Sequence, residues 1–313
     1  MTHDRRTFIQ GIACLPAGTV LASHKAAAAS DWTQVWSAPT YATPQQINAN
    51  RPPYGYPANR RFTIGPSPGG EQALIETIQA FDPLAPKING FNPTYVWHWA
   101  CRLPRIKVAS SVKGYAARNY IYLTDIPRAS GIAADGKWDS LCIGVSKDST
   151  SGGTKRNKAA SLMTYFWTSK GYCEIVCGFE GITTNNGIGS GYHYLAEGGG
   201  GGRIEPGRWY CVDRYMVPES KAGGKDGVVW IDIDGVTVAK FPACQFFEKA
   251  WWGNIRYMHE LIRHMWGGNE DDYPPDYPPG QPMKHYIKRA SRHVCMSRSL
   301  ALTSKLPRPI NYN

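Results

Sequence analysis

Two runs near the middle of the chain constrain its fold more than any other part. They are Gly207-Arg208-Trp209-Tyr210-Cys211-Val212-Asp213 and Lys225-Asp226-Gly227-Val228-Val229-Trp230-Ile231-Asp232-Ile233-Asp234-Gly235. In the second, Val229, Ile231 and Ile233 alternate with Trp230, Asp232 and Asp234. That period of two is expected where one face of a sheet lies on a core. Asp234-Gly235 suits the positive φ angles of a tight hairpin, and Val236-Thr237-Val238-Ala239 returns as the partner strand. The expected class is all-β, an antiparallel β-sandwich, in which a concave sheet commonly holds an extended polymer.

Further strands are expected at Tyr95–Trp99, Asn119–Leu123, Leu141–Val145, Ser161–Thr168, Glu174–Gly178, Tyr192–Ala196, Trp209–Val217, Arg256–Met265 and His293–Ser299. Many short strands between turn signals make a single sandwich or jelly roll. Residues 30–85 are rich in Pro, Asn and Tyr, as in Asn50-Arg51-Pro52-Pro53-Tyr54-Gly55-Tyr56-Pro57, and read as an irregular N-terminal extension. One short helix is expected within it, at Gly70–Ile78, where apolar residues are helically spaced. The β domain then spans 86–313.

At the N-terminus, Arg5-Arg6 precede an apolar stretch from Gly11 to Ala22 and the run Ala26-Ala27-Ala28-Ala29. This is the layout of a twin-arginine export signal over residues 1–29, cleaved near Ala29. The mature protein is then expected to be soluble, a monomer, and periplasmic or secreted. The formal charge is +11, of which Arg5, Arg6 and Lys25 against Asp4 supply +2, leaving +9 after cleavage. Such an excess favours polyanionic partners. An acidic polysaccharide is the partner expected, rather than nucleic acid or membrane. Cys14 lies in the signal. Seven cysteines remain, an odd number that leaves at least one thiol free or paired between chains. Cys173 and Cys177 lack a second pair at zinc-like spacing, and the Gly198–Gly202 run lacks the context of a phosphate cradle. Gly267-Gly268-Asn269-Glu270-Asp271-Asp272 lacks the ligand alternation of a calcium loop. No metal or cofactor is expected.

From about Tyr120 to Ser299 an ordered set of pieces stands out. It comprises a Tyr-rich strand, Pro127 and a loop, Gly136-Lys137 before a strand, and Tyr165-Phe166-Trp167 with Gly171. Then come Pro206-Gly207-Arg208-Trp209, Asp226-Gly227-Val228, Ile233-Asp234-Gly235 and Met265-Trp266-Gly267-Gly268. In this the chain resembles the alginate and glucuronate lyases of polysaccharide lyase family 14 and their glucuronan-lyase relatives. The resemblance implies a concanavalin A-like jelly roll and places Lys137 where the family has its catalytic lysine. The family's serine and arginine places read as Leu162 and Thr164, and its Tyr-x-Tyr pair as Val176 and Gly178. Tyr192-His193-Tyr194 repeats the Tyr-x-Tyr pattern one strand later, after Ile182–Ser190. The two rings line a groove or serve as packing.

Such lyases remove the proton at C5 of a uronate and protonate the departing O4. The intermediate gains charge beside a carboxylate, so a cation or donor aimed there stabilises it. Lys137 with Arg214 or Arg256 is the candidate neutraliser. Tyr192 and Tyr194 are the candidate base and acid, with His259, His264 and His98 as alternative bases. Arg214, Arg256 and His264, with the rings of Tyr122 and Trp167, are the candidate sugar contacts. Arg256–Met265 carries polar residues on both sides and reads as a groove-lining strand or a short helix. Two rivals remain open: a glycan-binding protein without proton transfer, and a glycoside hydrolase. The hydrolase needs two carboxylates facing one groove, for which no strand signature is visible.

Overall fold

The alternation read from residues 209–239 becomes two successive antiparallel ladders in the computed structural model of the chain. The structure describes residues 31–38, 60–78, 101–102, 106–126, 135–144, 159–169, 172–184, 187–192, 202–247, 249–254, 256–262, 265–266 and 281–308. Its strands are β1 (Thr33–Ser37), β2 (Arg60–Pro66), β3 (Gln72–Ile78), β4 (Cys101–Arg102), β5 (Ile106–Val108) and β6 (Gly114–Leu123). Next come β7 (Asp135–Gly144), β8 (Ala159–Ser169), β9 (Tyr172–Thr184), β10 (Gly187–Tyr192), β11 (Gly202–Ile204) and β12 (Trp209–Val217). The series ends with β13 (Gly227–Ile233), β14 (Val236–Gln245), β15 (Arg256–Ile262), β16 (Met265–Trp266) and β17 (Met283–Cys295), before helix α1 (Arg298–Thr303).

These strands form an antiparallel β-sandwich of the jelly-roll type. One sheet runs β2-β3-β17-β6-β12-β13-β14, with β1 beside the second half of β17. The other runs β15-β7-β8-β9, with β4 and β5 outside β15, β16 beside β7, and β10 and β11 beside β9. A short pairing of β14 with β9, Cys244 opposite Thr184, joins them. Alternation sends Ile121, Val212, Ile231 and Ile287 of the first sheet into one apolar cluster with Leu141, Ile143, Leu162, Ile175 and Met258 of the second. Each such side chain removed from water contributes about 1.5–3 kcal/mol. The hairpin turn forms as its residues dictate, with φ of 53° at Asp234 and 81° at Gly235.

The second face of the first sheet is also covered. Tyr215 stacks on Trp230 with ring centroids 4.5 Å apart, and Ala301 of α1 and Leu306 seal the pair. Leu306 donates its backbone N–H to the Tyr215 hydroxyl at 3.0 Å. Lys305 Nζ lies 3.0 Å from Asp232 Oδ2. Trp230 and Asp232 are therefore buried although they alternate with core residues.

Three sequence expectations change. Gly70–Ile78 is not a helix: Gly69 and Gly70 make a turn at φ 95° and 89°, and Gln72–Ile78 is strand β3. It is paired laterally with β2 and β17, and adjacent Ala73 and Leu74, on opposite faces, are both buried, as is Glu76, so no clean period survives. Within 30–85, the described residues 31–38 and 60–78 are mainly strand. They supply β1, β2 and β3, which β17 draws into the sandwich, with β1 and β3 laid along it directly. Finally, the expected strand His293–Ser299 stops at Cys295. Ser297 then caps α1, its hydroxyl accepting from the Leu300 N–H at 3.4 Å. Arg256–Ile262 is a strand rather than a helix. Tyr95–Trp99 lies outside the described residues.

Candidate functional site

A buried polar layer crosses the sandwich beneath the second sheet. Thr164 of β8, Asp139 of β7 and Glu260 of β15 point inward from that sheet, and Asn119, Arg214 and Arg292 meet them from the first. Arg214 donates from Nε to Thr164 Oγ1 at 2.7 Å, and its Nη2 is 3.4 Å from Asp139 Oδ2. Its Nη1 is 3.9 Å from Glu260 Oε1, to which Asn119 Nδ2 donates at 3.1 Å. Arg292 donates to the Met258 carbonyl at 3.2 Å and stands over the Trp36 ring at 4.1 Å. Burial, the largest influence, holds the Glu260 carboxyl up at about 7 against the pull of Arg292 and Arg214. This layer ties β7, β8 and β15 in register, and those strands carry the candidate site on their other face.

That outer face follows from the ladders, because residues directly opposite in an antiparallel pair share a face. Lys137 stands opposite Tyr165 of β8 and Met265 of β16. Tyr165 stands opposite Val176 of β9. In the next row Leu261, Ser140, Met163, Gly178 and Tyr192 follow one another from β15 to β10. Beyond it come His259, Cys142, Ser161, Glu180 and Ser190. Trp167, with Asp135 and Glu174 as neighbours, occupies the row on the far side of Lys137. Lys137, Tyr192, His259 and Trp167 thus belong to one face. Its middle is built of small buried residues, Ser140, Cys142, Ser161 and Gly178, with Cys142 Sγ 3.3 Å from Ser161 Oγ.

Spacing limits what these residues do together. A directly opposed pair has Cβ atoms about 5 Å apart, so positions 137 and 165 are immediate neighbours on the sheet. Tyr192 is three strands from β7, about 14 Å across the sheet, and so is not a neighbour of Lys137. Sequence reasoning did not single out Tyr165. Its signal was the Tyr165-Phe166-Trp167 triplet, but only the register makes it the partner of Lys137. The inward acids were missed too, although Glu260 after Met258 and Asp139 before Leu141 occupy core positions of their strands.

Other candidates are moved elsewhere. Arg214 is no sugar contact: it is 1% exposed, because position 214 shares the inward parity of Val212 and Met216. Arg256 is likewise on the inward register with Met258 and Glu260, buried at the end of the sandwich. Tyr122 lies on the outer face of the first sheet, across the sandwich from Lys137. Its ring packs 5.5 Å from Trp209 and 6.0 Å from Tyr286. Leu162 and Thr164, matched to the family's serine and arginine, face inward, while Ser161, Met163 and Tyr165 take the outward positions. A shift of one residue exchanges the two faces of a strand. Tyr194, His264, His98 and the acidic run Gly267–Asp272 lie outside the described residues. Cys173, Cys177, Cys211, Cys244 and Cys295 are free and buried, and burial pushes the Cys244 thiol up to about 12.

Neither a protein-family model nor a curated protein matches the chain. Among solved structures it is similar to the alginate lyase Aly36B, at 13% identity and a TM-score of 0.45, over 74% of this chain and 86% of that one. The alginate lyase vAL-1 from Chlorella virus is similar at 10% identity and 0.44, over 75% and 89%. The endo-beta-1,4-glucuronan lyase from the fungus Trichoderma reesei is similar at 9% and 0.36, over 77% and 90%.

Proposed function

We propose that the chain is an exported polysaccharide lyase that cleaves an acidic, uronate-containing polymer by β-elimination on the outer face of its second sheet. The observation that carries this reading is the cross-strand pair Lys137–Tyr165, with Tyr192, His259 and Trp167 on the same face. In the mechanism, the Lys137 ammonium is set against the uronate carboxylate and offsets the charge that grows as C5 loses its proton. A phenol beside a cation is more readily ionised, so Tyr165 takes the C5 proton, and its conjugate acid returns a proton to the departing O4. Tyr192 and Tyr194 hold the polymer further along, and His259 is the alternative base. Trp167 supplies a stacking ring.

Export is proposed from Arg5-Arg6, the apolar stretch behind them and Ala26–Ala29. Among the described residues no helix is long and apolar enough to cross a membrane. Replacing both arginines by lysine is expected to retain unprocessed chain in the cytoplasm. Normal processing of that variant would remove the signal assignment.

A second reading, a glycan-binding protein without proton transfer, is favoured by one fact: Lys137 alone matches the five catalytic places that the family resemblance implies. Ultraviolet absorbance of the unsaturated product, followed with glucuronan and alginate, separates the two. Rising absorbance is expected. A flat trace together with retardation in an affinity gel containing the polymer gives the binding reading instead.

A further inference from the structure

At the end of the sandwich where β6 and β15 begin and β12 ends, the structure holds a cavity of about 450 Å³. Its mouth is formed by exposed Ser111, Lys113 and Ser220, and its wall by buried Phe247, Glu219 and Arg256. That volume lies within the range of small-ligand sites. Arg256 is 4% exposed. Its guanidinium stands 4.0 Å over the Phe247 ring and donates to the carbonyls of Asn254 and Trp252. Among the described residues it forms no ion pair with a carboxylate.

Glu219, in the same wall, offsets its charge through space without pairing with it. Glu219 turns both oxygens to the main chain, accepting from the N–H of Phe246 at 2.9 Å and of Phe247 at 3.1 Å. Arg298, also in the wall, is already paired with Asp226 at 3.1 Å. A buried cation with no carboxylate in ion-pair contact among the described residues is costly to maintain, and here it faces an open cavity whose mouth carries a second cation, Lys113. Ser111 and Ser220 add hydroxyls and Trp252 an indole, the partners that sugar hydroxyls and ring faces use.

We infer that this cavity is a second binding site, separate from the outer face of the second sheet, for a single sugar acid whose carboxylate pairs with Arg256 and Lys113. The pocket's preference for an anion stands on its own charges. The choice of a sugar acid rests on the function proposed above. The end of a uronate chain, or the monosaccharide released from it, has the required chemistry.

Titration calorimetry of the full chain with sodium glucuronate, glucose and inorganic phosphate tests the site. Because glucuronate can also meet the face that carries Lys137, the titration is repeated on Lys137→Ala, where the pocket's binding should persist. Glucuronate is expected to bind with one-to-one stoichiometry and glucose to give no measurable heat. Arg256→Gln should weaken glucuronate at least tenfold, and Lys113→Gln, at an exposed position that cannot unfold the chain, several-fold. The site is overturned if glucose binds as well as glucuronate, if phosphate binds more tightly, or if Lys113→Gln and a folded Arg256→Gln bind like the parent. Because the readout is binding rather than turnover, an inactive enzyme with an intact pocket and an active enzyme without one are told apart.

Discussion

Glu260 shows how one inward position shapes the behaviour of this chain. Its carboxyl is fully buried, and its folded value near 7 stands above the ordinary 4.5. Between those values the unfolded chain releases a proton that the folded chain keeps. The stability contributed by this group is therefore complete below about 4.5 and is lost as pH rises through about 7. Glu260→Gln removes that titration, so its melting temperature should vary less between pH 5 and 8 than that of the parent. Equal slopes in the two proteins would show that Glu260 is ionised throughout. At this scale the sequence was a partial guide. Lys137 was singled out from its Gly-Lys setting, whereas Arg214 and Arg256 were chosen as basic neighbours for it, and both prove to be buried. What turned Arg214 inward is charge on the opposing sheet, Asp139 and Glu260, which no local pattern reveals.

Among elements, the β13–β14 hairpin was the most readable. Its alternation and its Asp-Gly turn agree, and both angles at the turn are positive. Gly235→Ala tests how much depends on that turn. An added Cβ would sit 2.9 Å from Arg308 Nε at a φ of 81°. We expect a loss of about 1–2 kcal/mol, the ordinary penalty for a side chain in the left-handed region, read as a lower denaturation midpoint. An unchanged midpoint would mean that the turn relaxes without cost. By contrast β3 was unreadable as a strand. Paired laterally with β2 and β17, it carries buried residues on both faces, and in a short run such a pattern is shared by helices. The faces of β8 could not be read from the sequence either. The ladder, not the spacing of motifs, decides whether Thr164 or Tyr165 is outward.

For the molecule as a whole, two sheets held by an apolar interior and one buried polar layer present Lys137 and Tyr165 side by side on an outer face. The class of fold was legible from many short alternating strands, but the pairing of β7 with β15 and of β6 with β17 joins residues more than a hundred positions apart. No local signal fixes such partners, so the site's membership had to come from the register. The most direct test compares the initial rate of unsaturated-end formation on glucuronan by the parent chain and by Lys137→Ala, with both variants checked for the same melting temperature. We predict measurable turnover in the parent and a loss of at least a hundredfold in the variant, a size common for the removal of one group that stabilises developing charge. Undiminished turnover in Lys137→Ala would contradict the account, since the reacting sugar would then lie away from this face.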